Sequence, residues 1–250
     1  MAYTDIDKPS DYFNTVLYTG NGGTQSITGL DFQPDFTWIK SRTTGGSGNN
    51  NHCVNDVVRA KGSYGYPMIH PNLNATEYDP DSGNEVVTDF NSNGFSLGGN
   101  ENSNYNSATY ASWNLKANGA GVANTDGSIN STVSANTTSG FSIVSWSGNS
   151  TAGATIGHGL GVAPKMIIVK DRDGADSWVV YHNSLAITEY LILNSTSAAL
   201  TDNEVIFYDT DPTSSVFTVG AHNTVNQSGH NYIAYCFAEK QGYSKFGSYT

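Results

Sequence analysis

Charged residues are scarce in this chain, and basic ones are scarcer still. Asp, Glu, Lys and Arg make up 13 % of its 250 residues, with only 11 Lys and Arg against 22 Asp and Glu. The resulting formal net charge of −11 repels a phosphate backbone. No basic stripe with interleaved aromatic residues offsets this balance, so the sequence argues against nucleic-acid binding.

The chain also lacks long apolar runs. No stretch approaches the roughly 20 apolar residues that a membrane-spanning helix needs, so no membrane insertion is expected. Residues 1–9 contain neither a basic start nor an apolar run, so they do not predict a secretory signal. We expect a soluble protein that is made in a cytoplasm without an export address.

Cysteine is rare, and catalytic and metal-binding motifs are absent. Cys53 and Cys236 form no Cys-x-x-Cys pair, and Cys236 lies in an apolar run that predicts a buried, inert thiol. The six histidines include no His-x-His and no His-Glu-x-x-His pattern for zinc. Neither a Gly-x-Ser-x-Gly turn nor a Glu-x-Asp-x-x-Glu strand occurs. We therefore predict no catalytic residue, although the sequence leaves a spatial triad open.

Turn-forming residues and short apolar runs dominate what is present. Gly, Ser, Thr and Asn fill long stretches, and short apolar or alternating runs recur roughly every ten to fifteen residues, as in sandwiches and barrels. No segment sustains a helical period, so helices should be short or absent. Trp38, Trp146 and Trp178 fall inside strand patterns and are predicted to pack in the core. Strands are predicted at 13–18, 25–27, 36–40, 52–57, 67–69, 85–89, 94–97, 109–115, 141–146, 154–156, 165–170, 178–181, 190–193, 205–208, 216–219 and 232–238.

An internal repeat organises these strands. Matching segments occur in the same order in both halves: 17–21 with 145–149, 34–40 with 164–170, 94–98 with 216–220, and 110–113 with 232–235. The sequence therefore predicts an all-β chain of two tandem antiparallel β-sandwich modules of jelly-roll type. The expected domains are a first module at 1–116, a Gly/Asn/Ser/Thr-rich linker at 117–140 and a second module at 141–242. Residues 243–250 repeat the opening of the first module, which predicts the start of a third unit.

Several stretches resemble a known family. They are Asp-Tyr-Phe-Asn-Thr at 11–15 followed by 18–22, Gly-His-Gly-Leu-Gly-Val-Ala-Pro-Lys at 157–165, and Tyr-Ile-Ala-Tyr-Cys-Phe-Ala-Glu at 232–239. They are similar to modules of repeated-domain proteins of marine bacteriophages, and the similarity spans nearly the whole chain. The resemblance implies a virion component with lectin-like, concanavalin-like sandwich modules, in a tail fibre, a head fibre or a capsid decoration. It supplies no catalytic residues.

Loop regions offer two kinds of candidate binding residue. Sugar rings stack on exposed tyrosines, and the turn-rich segments contain Tyr64, Tyr66, Tyr78 and Tyr105. Loop packing or a subunit contact is the alternative role for these rings. An acidic loop could offer calcium the oxygens of Asp79, Asp81, Asn84 and Glu85. A solvated turn is the alternative there, and no other cofactor or metal is indicated.

The leading hypothesis is a non-enzymatic virion structural protein, used for assembly and surface adhesion. Its expected partners are other virion proteins and further copies of itself, with a trimer favoured because particle fibres are commonly trimeric. One alternative is a lectin-like module that binds a host-surface glycan through Tyr64, Tyr66 or Tyr105. Another is a depolymerase of surface polysaccharide with its site between subunits.

Overall fold

A computed structural model describes residues 4–43 and 50–249 of the chain. In these residues the protein is all-β, with antiparallel strands and helices of no more than four residues. The chain divides into two compact units. The first unit comprises Lys8–Leu73 and Glu77–Ala120. The second unit comprises the described residues of Met1–Asp7, Asn74–Thr76 and Gly121–Thr250.

The first unit contains a four-stranded and a three-stranded sheet. Its strands are β1 Phe13–Thr19, β2 Gln25–Thr28, β3 Phe36–Ser41, β4 Cys53–Asp56, β5 Val87–Asn91, β6 Gly94–Leu97 and β7 Thr109–Leu115. The sheet orders are β1-β7-β3-β4 and β2-β6-β5. A 3-10 turn at Pro9–Asp11 precedes β1, and helix α1 spans Glu101–Asn104. Side chains from both sheets, among them Ile27, Ile39, Phe95 and Tyr110, form one buried core.

The second unit contains an eight-stranded and a two-stranded sheet. Its strands are β8 Val122–Asn124, β9 Ser131–Asn136, β10 Phe141–Ser147, β11 Ala154–Gly157, β12 Met166–Asp171, β13 Val179–His182, β14 Glu189–Ile192, β15 Leu200–Thr201, β16 Val216–Val219 and β17 Asn231–Phe237. The large sheet runs β15-β14-β13-β12-β17-β10-β9-β8, and β11 pairs with β16. Helix α2 spans Asn223–Asn226. The core lies between the sheets and includes Val144, Ile167, Phe217 and Ala234.

The two units share a strand order. The run β10-β17-β12-β13 in the second unit follows the same order and antiparallel pairing as β1-β7-β3-β4 in the first. The pair β11-β16 likewise matches β2-β6, and a four-residue helix precedes the last strand of each unit. The segments that repeat in the sequence lie on or beside these matched elements.

A buried asparagine ends the short helix of each unit and makes the same hydrogen bonds in both. In the first unit the Oδ1 of Asn104 accepts a bond from the backbone N–H of Asn21 at 2.9 Å, and its Nδ2 donates to the Gly98 carbonyl at 2.8 Å. In the second unit the same atoms of Asn226 bond Asn149 N–H at 2.9 Å and the Gly220 carbonyl at 3.0 Å. Each amide thereby satisfies backbone groups of two separate loops.

A tyrosine on the last strand of each unit completes this arrangement. The hydroxyl of Tyr110 donates to the Glu101 carbonyl at 2.9 Å and accepts from the N–H of Tyr105 at 2.8 Å. Tyr232 makes the corresponding two bonds in the second unit, with Asn223 and Gln227. The tyrosine therefore ties the start of the helix to the loop that follows it.

Ring stacking joins these tyrosines to β1 in the first unit and to the matched strand β10 in the second. Tyr18 stacks on Tyr110 with ring centroids 5.1 Å apart, and Trp146 stacks on Tyr232 at 5.3 Å. Trp146 and Trp178 are buried, as predicted. The prediction that Trp38 packs in the core is wrong. This side chain is half-buried and lies on the face of β3 opposite the core residue Ile39.

Most predicted strands occur within two residues of their expected ends, but the one at 205–208 is wrong. The carboxylate of Asp202, which is fully buried, accepts hydrogen bonds from the backbone N–H groups of Val205, Ile206 and Phe207. Tyr208 has a φ of 57°, which no strand residue adopts. The apolar run therefore folds as a turn around one acidic side chain.

The strand predicted at 67–69 is also wrong. Only single bridges occur here, between Met68 and Tyr78 and between Val54 and Ile69. Pro67 has no N–H to donate and so interrupts ladder formation.

The segment 117–140 is not the strandless linker that its composition suggested. It contains β8 and β9, and β9 pairs with β10 over six residues, from Asn136 opposite Phe141 to Ser131 opposite Trp146. Small side chains such as Ser134 are buried on this strand. Backbone pairing and the burial of small residues form the strand without the large apolar side chains that a sequence pattern detects.

A buried ion cluster anchors the end of β4 in the first unit. The Arg59 side chain is fully buried, and its Nε donates to the Asp56 carboxylate at 2.8 Å. Its Nη1 lies 3.0 Å from the Glu77 carboxylate, and its Nη2 donates to the Val54 carbonyl at 3.0 Å. Because the Arg59 and Asp56 side chains are fully buried and Glu77 is only 13 % exposed, the cluster depends on remaining complete.

We predict that Arg59→Met lowers the free energy of unfolding by about 3–5 kcal/mol, since it leaves buried carboxylate charge without its partner. Urea unfolding followed by fluorescence measures this loss. Lys61→Met is the matched control, because the Lys61–Asp89 pair is exposed, and its loss should cost no more than about 1 kcal/mol. Equal losses for the two variants would contradict the prediction.

Candidate functional site

The four tyrosines predicted as candidate binding residues divide between the surface and the core. Tyr64 is 47 % exposed in the turn between Gly62 and Gly65, and Tyr105 is 36 % exposed. Tyr66 is half-buried and packs edge-on against Phe90 with centroids 4.7 Å apart. Tyr78 also packs against the core of the first unit. Only Tyr64 and Tyr105 therefore present much of a ring to a ligand.

The acidic loop uses its oxygens within its own turn. The Tyr78 hydroxyl donates to an Asp81 carboxylate oxygen at 2.9 Å and accepts from the Asn84 amide at 2.8 Å. One Glu85 carboxylate oxygen accepts from the backbone N–H of Gly83 at 3.0 Å. The loop is thus a hydrogen-bonded turn, and calcium binding by these oxygens stays a prediction.

Asp79 and Asn84 are the other two calcium candidates of this loop. Asp79 is exposed, and the Oδ1 of Asn84 accepts from the Asn100 amide at 2.8 Å. Across residues 4–43 and 50–249, no three His, Cys, Asp or Glu side chains form a group that could hold a metal ion.

Both thiols lie in the cores. Cys53 and Cys236 are free and fully buried, one in each unit, which confirms the expectation for Cys236. Burial raises the pKa of each thiol well above its usual range. Neither sulfur is therefore a ready nucleophile.

A buried lysine at the end of β12 is a feature that sequence reasoning missed. The Lys170 ammonium donates to the carbonyls of Asp171 at 2.6 Å and Gly174 at 2.9 Å. Burial lowers the pKa of this ammonium to about 8. The matched Lys40 of the first unit also donates to two carbonyls, of Ser41 and Asn50. The repeated lysine at the end of a matched strand was the signal available in the sequence.

Asp171 links this lysine region to a histidine. One oxygen of its buried carboxylate accepts from the N–H groups of Asp173 and Gly174, and the other lies 2.8 Å from the Nδ1 of His230. The hydrogen bond to Asp171 raises the pKa of His230 above its ordinary value. The His230 Nε2 lies 2.8 Å from the side-chain nitrogen of Gln227. Both ring nitrogens thus contact side chains that hold the ring in place.

This pair predicts a pH dependence of stability. Because the folded pKa of His230 is raised above the unfolded value near 6.5, its contribution is fully present below that value and is lost as the pH rises through the folded pKa. Asp173 and Asp176 add to the same shift.

We expect the difference in melting temperature between the wild type and His230→Gln to be largest near pH 5.5 and to shrink towards pH 9. Thermal scans at several pH values measure it, and His182→Gln on β13 is a matched control. A difference that stays constant with pH would contradict the prediction.

An exposed apolar surface lies on the first and last strands of the first unit. We call it the β1/β7 face; it consists of Phe13, Leu17 and Trp113, which are 38 %, 62 % and 38 % exposed. Val16 and Tyr18 on β1 point to the core, so Phe13 and Leu17 point away from it. Trp113 stands opposite Thr15 in the ladder and so shares this face.

The β1/β7 face differs from its counterpart in the second unit. Phe141 and Tyr235, which occupy the positions of Phe13 and Trp113, are each 2 % exposed. Large exposed apolar side chains that cluster on one sheet face often mark an interaction surface. The β1/β7 face is therefore the candidate contact surface of the molecule.

The fold defines an all-β protein of antiparallel sheets. The described helices, of four residues at most, are all too short to cross a membrane. The chain belongs to the family described as Domain of unknown function (DUF7483), whose model matches residues 8–250. No curated protein and no solved structure matches the chain.

Proposed function

We propose that the chain is a non-enzymatic structural protein of a phage virion, a fibre or decoration appendage used for assembly and surface adhesion. The observation that carries this proposal is the exposed β1/β7 face, on a sheet in which no further strand of residues 4–43 and 50–249 pairs with the outermost strand β1. An apolar face beside an open edge is suited to contact with another protein surface.

The repeat supports an appendage built from like modules. The proposal interprets the two units as tandem β-sandwich modules of jelly-roll type, because their strand order and their buried Asn and Tyr hydrogen bonds match. Tandem modules give length and repeated surface, which a spacer or fibre requires. The net charge of −11 suits appendages that stay soluble when crowded on a particle.

The proposal predicts that the chain is present in intact particles. Phage from a host that produces the chain would be purified on a density gradient and analysed by mass spectrometry. Peptides of the chain should co-migrate with the capsid proteins in a fixed ratio to them. Recovery of the chain only from the soluble fraction of the lysate would contradict the proposal.

Glycan binding is a second candidate, favoured by the two exposed tyrosines. Tyr64 and Tyr105 present ring surface in loops rich in amide and hydroxyl groups, which is the chemistry that sugars need. Such binding would serve attachment to a host surface.

We predict that Tyr64→Ala reduces any glycan binding by about tenfold, the effect of losing roughly 1.4 kcal/mol of stacking. A glycan array followed by titration of the best ligand measures it. Tyr249→Ala is the matched control, because Tyr249 is 99 % exposed but lies outside these loops. An array on which the wild type binds nothing would remove this candidate.

A further inference from the structure

Strand β1 is an unprotected sheet edge. It ends the order β1-β7-β3-β4, and no strand of the described residues pairs with its outer side. Natural edge strands usually carry charges, proline or a bulge that prevent pairing with another chain. The seven residues of β1, Phe-Asn-Thr-Val-Leu-Tyr-Thr, contain neither a charged residue nor proline.

The second unit contains the same edge in a paired state. Its strand β10 matches β1 and pairs with β17 on one side, as β1 pairs with β7. On the other side β10 pairs antiparallel with β9 over six residues. The matched position in this fold therefore accepts an added antiparallel strand, which the described part of the first unit does not supply.

The sequence of β1 is complementary to itself. If two copies pair antiparallel with Val16 on a two-fold axis, Thr15 faces Leu17 of the second copy and Phe13 faces its Thr19. Each exposed apolar side chain then meets a threonine directly, and Leu17 has Leu17 and Phe13 of the second copy as diagonal neighbours. No like charges oppose each other across the pair, since β1 carries none.

We propose that β1 of one molecule pairs antiparallel with β1 of a second copy, centred on Val16, so that two four-stranded sheets join into one. The pairing gives the outward backbone groups of both edges cross-strand partners and places side chains of the second copy beside Leu17 and Phe13. Two of these groups have side-chain partners that the added strand replaces: the Thr15 N–H donates to Asn14 Oδ1, and the Thr19 carbonyl accepts from Gln25. This inference rests on the proposed function, because it names the partner of the same surface.

The full chain, analysed by sedimentation velocity over a range of concentrations, should show a concentration-dependent dimer. Leu17→Lys should raise the dimer dissociation constant by roughly tenfold or more, because the two lysines are diagonal neighbours across the axis. Thr28→Lys is the control, since it adds the same charge to an exposed position of another edge strand, β2. Circular dichroism would verify that each variant keeps the wild-type strand content.

A mixing experiment tests the register. Thr15→Lys and Leu17→Glu should each weaken the dimer, and an equimolar mixture should recover it, because the introduced ammonium of one variant then faces the introduced carboxylate of the other. A wild type that stays monomeric, equal effects of Leu17→Lys and Thr28→Lys, or a mixture without recovery would each overturn the inference. A chain that is monomeric in solution yet present in particles would overturn this pairing and leave the proposed function standing.

Discussion

The buried asparagine at the end of each short helix is the interaction on which both units depend. Asn104 and Asn226 each bond the backbone of two loops that no ladder reaches. Backbone groups buried without such partners are costly, so the loops can close over the core only while the amide is present. The close approach also excludes side chains: a Cβ on Gly20 or Gly148 would collide with a backbone carbonyl of the loop after the helix.

Much of the strand pattern could be predicted, because alternating apolar residues report which strands face a core. The strands at 94–97, 109–115 and 216–219 have the ends that their sequences predict. The strand predicted at 205–208 does not form, and hydrophobic periodicity could not have shown why. The buried Asp202 carboxylate accepts hydrogen bonds from the N–H groups of this segment, which therefore folds as a turn. Strand β9 was missed because it is built from small polar residues.

The candidate surface was harder to predict than the fold. The tyrosines were chosen for their turn-rich setting, yet Tyr66 and Tyr78 lie against the core, because their backbones bridge to strands or extended segments beside it. Phe13, Leu17 and Trp113 have the alternation of an ordinary strand, and sequence alone assigns neither face to solvent. The two units also differ in buried charge, with a complete Arg59 cluster in one and the Lys170 and Asp171 arrangement in the other. The same strand order thus accommodates different sets of buried charged side chains.

The two free thiols give each unit its own internal marker. Cys53 lies in the core of the first unit and Cys236 in the core of the second, and neither has any exposed surface. A thiol reagent reaches such a sulfur only when the surrounding core opens. The cysteine that is modified first therefore reports which of the two units opens more often.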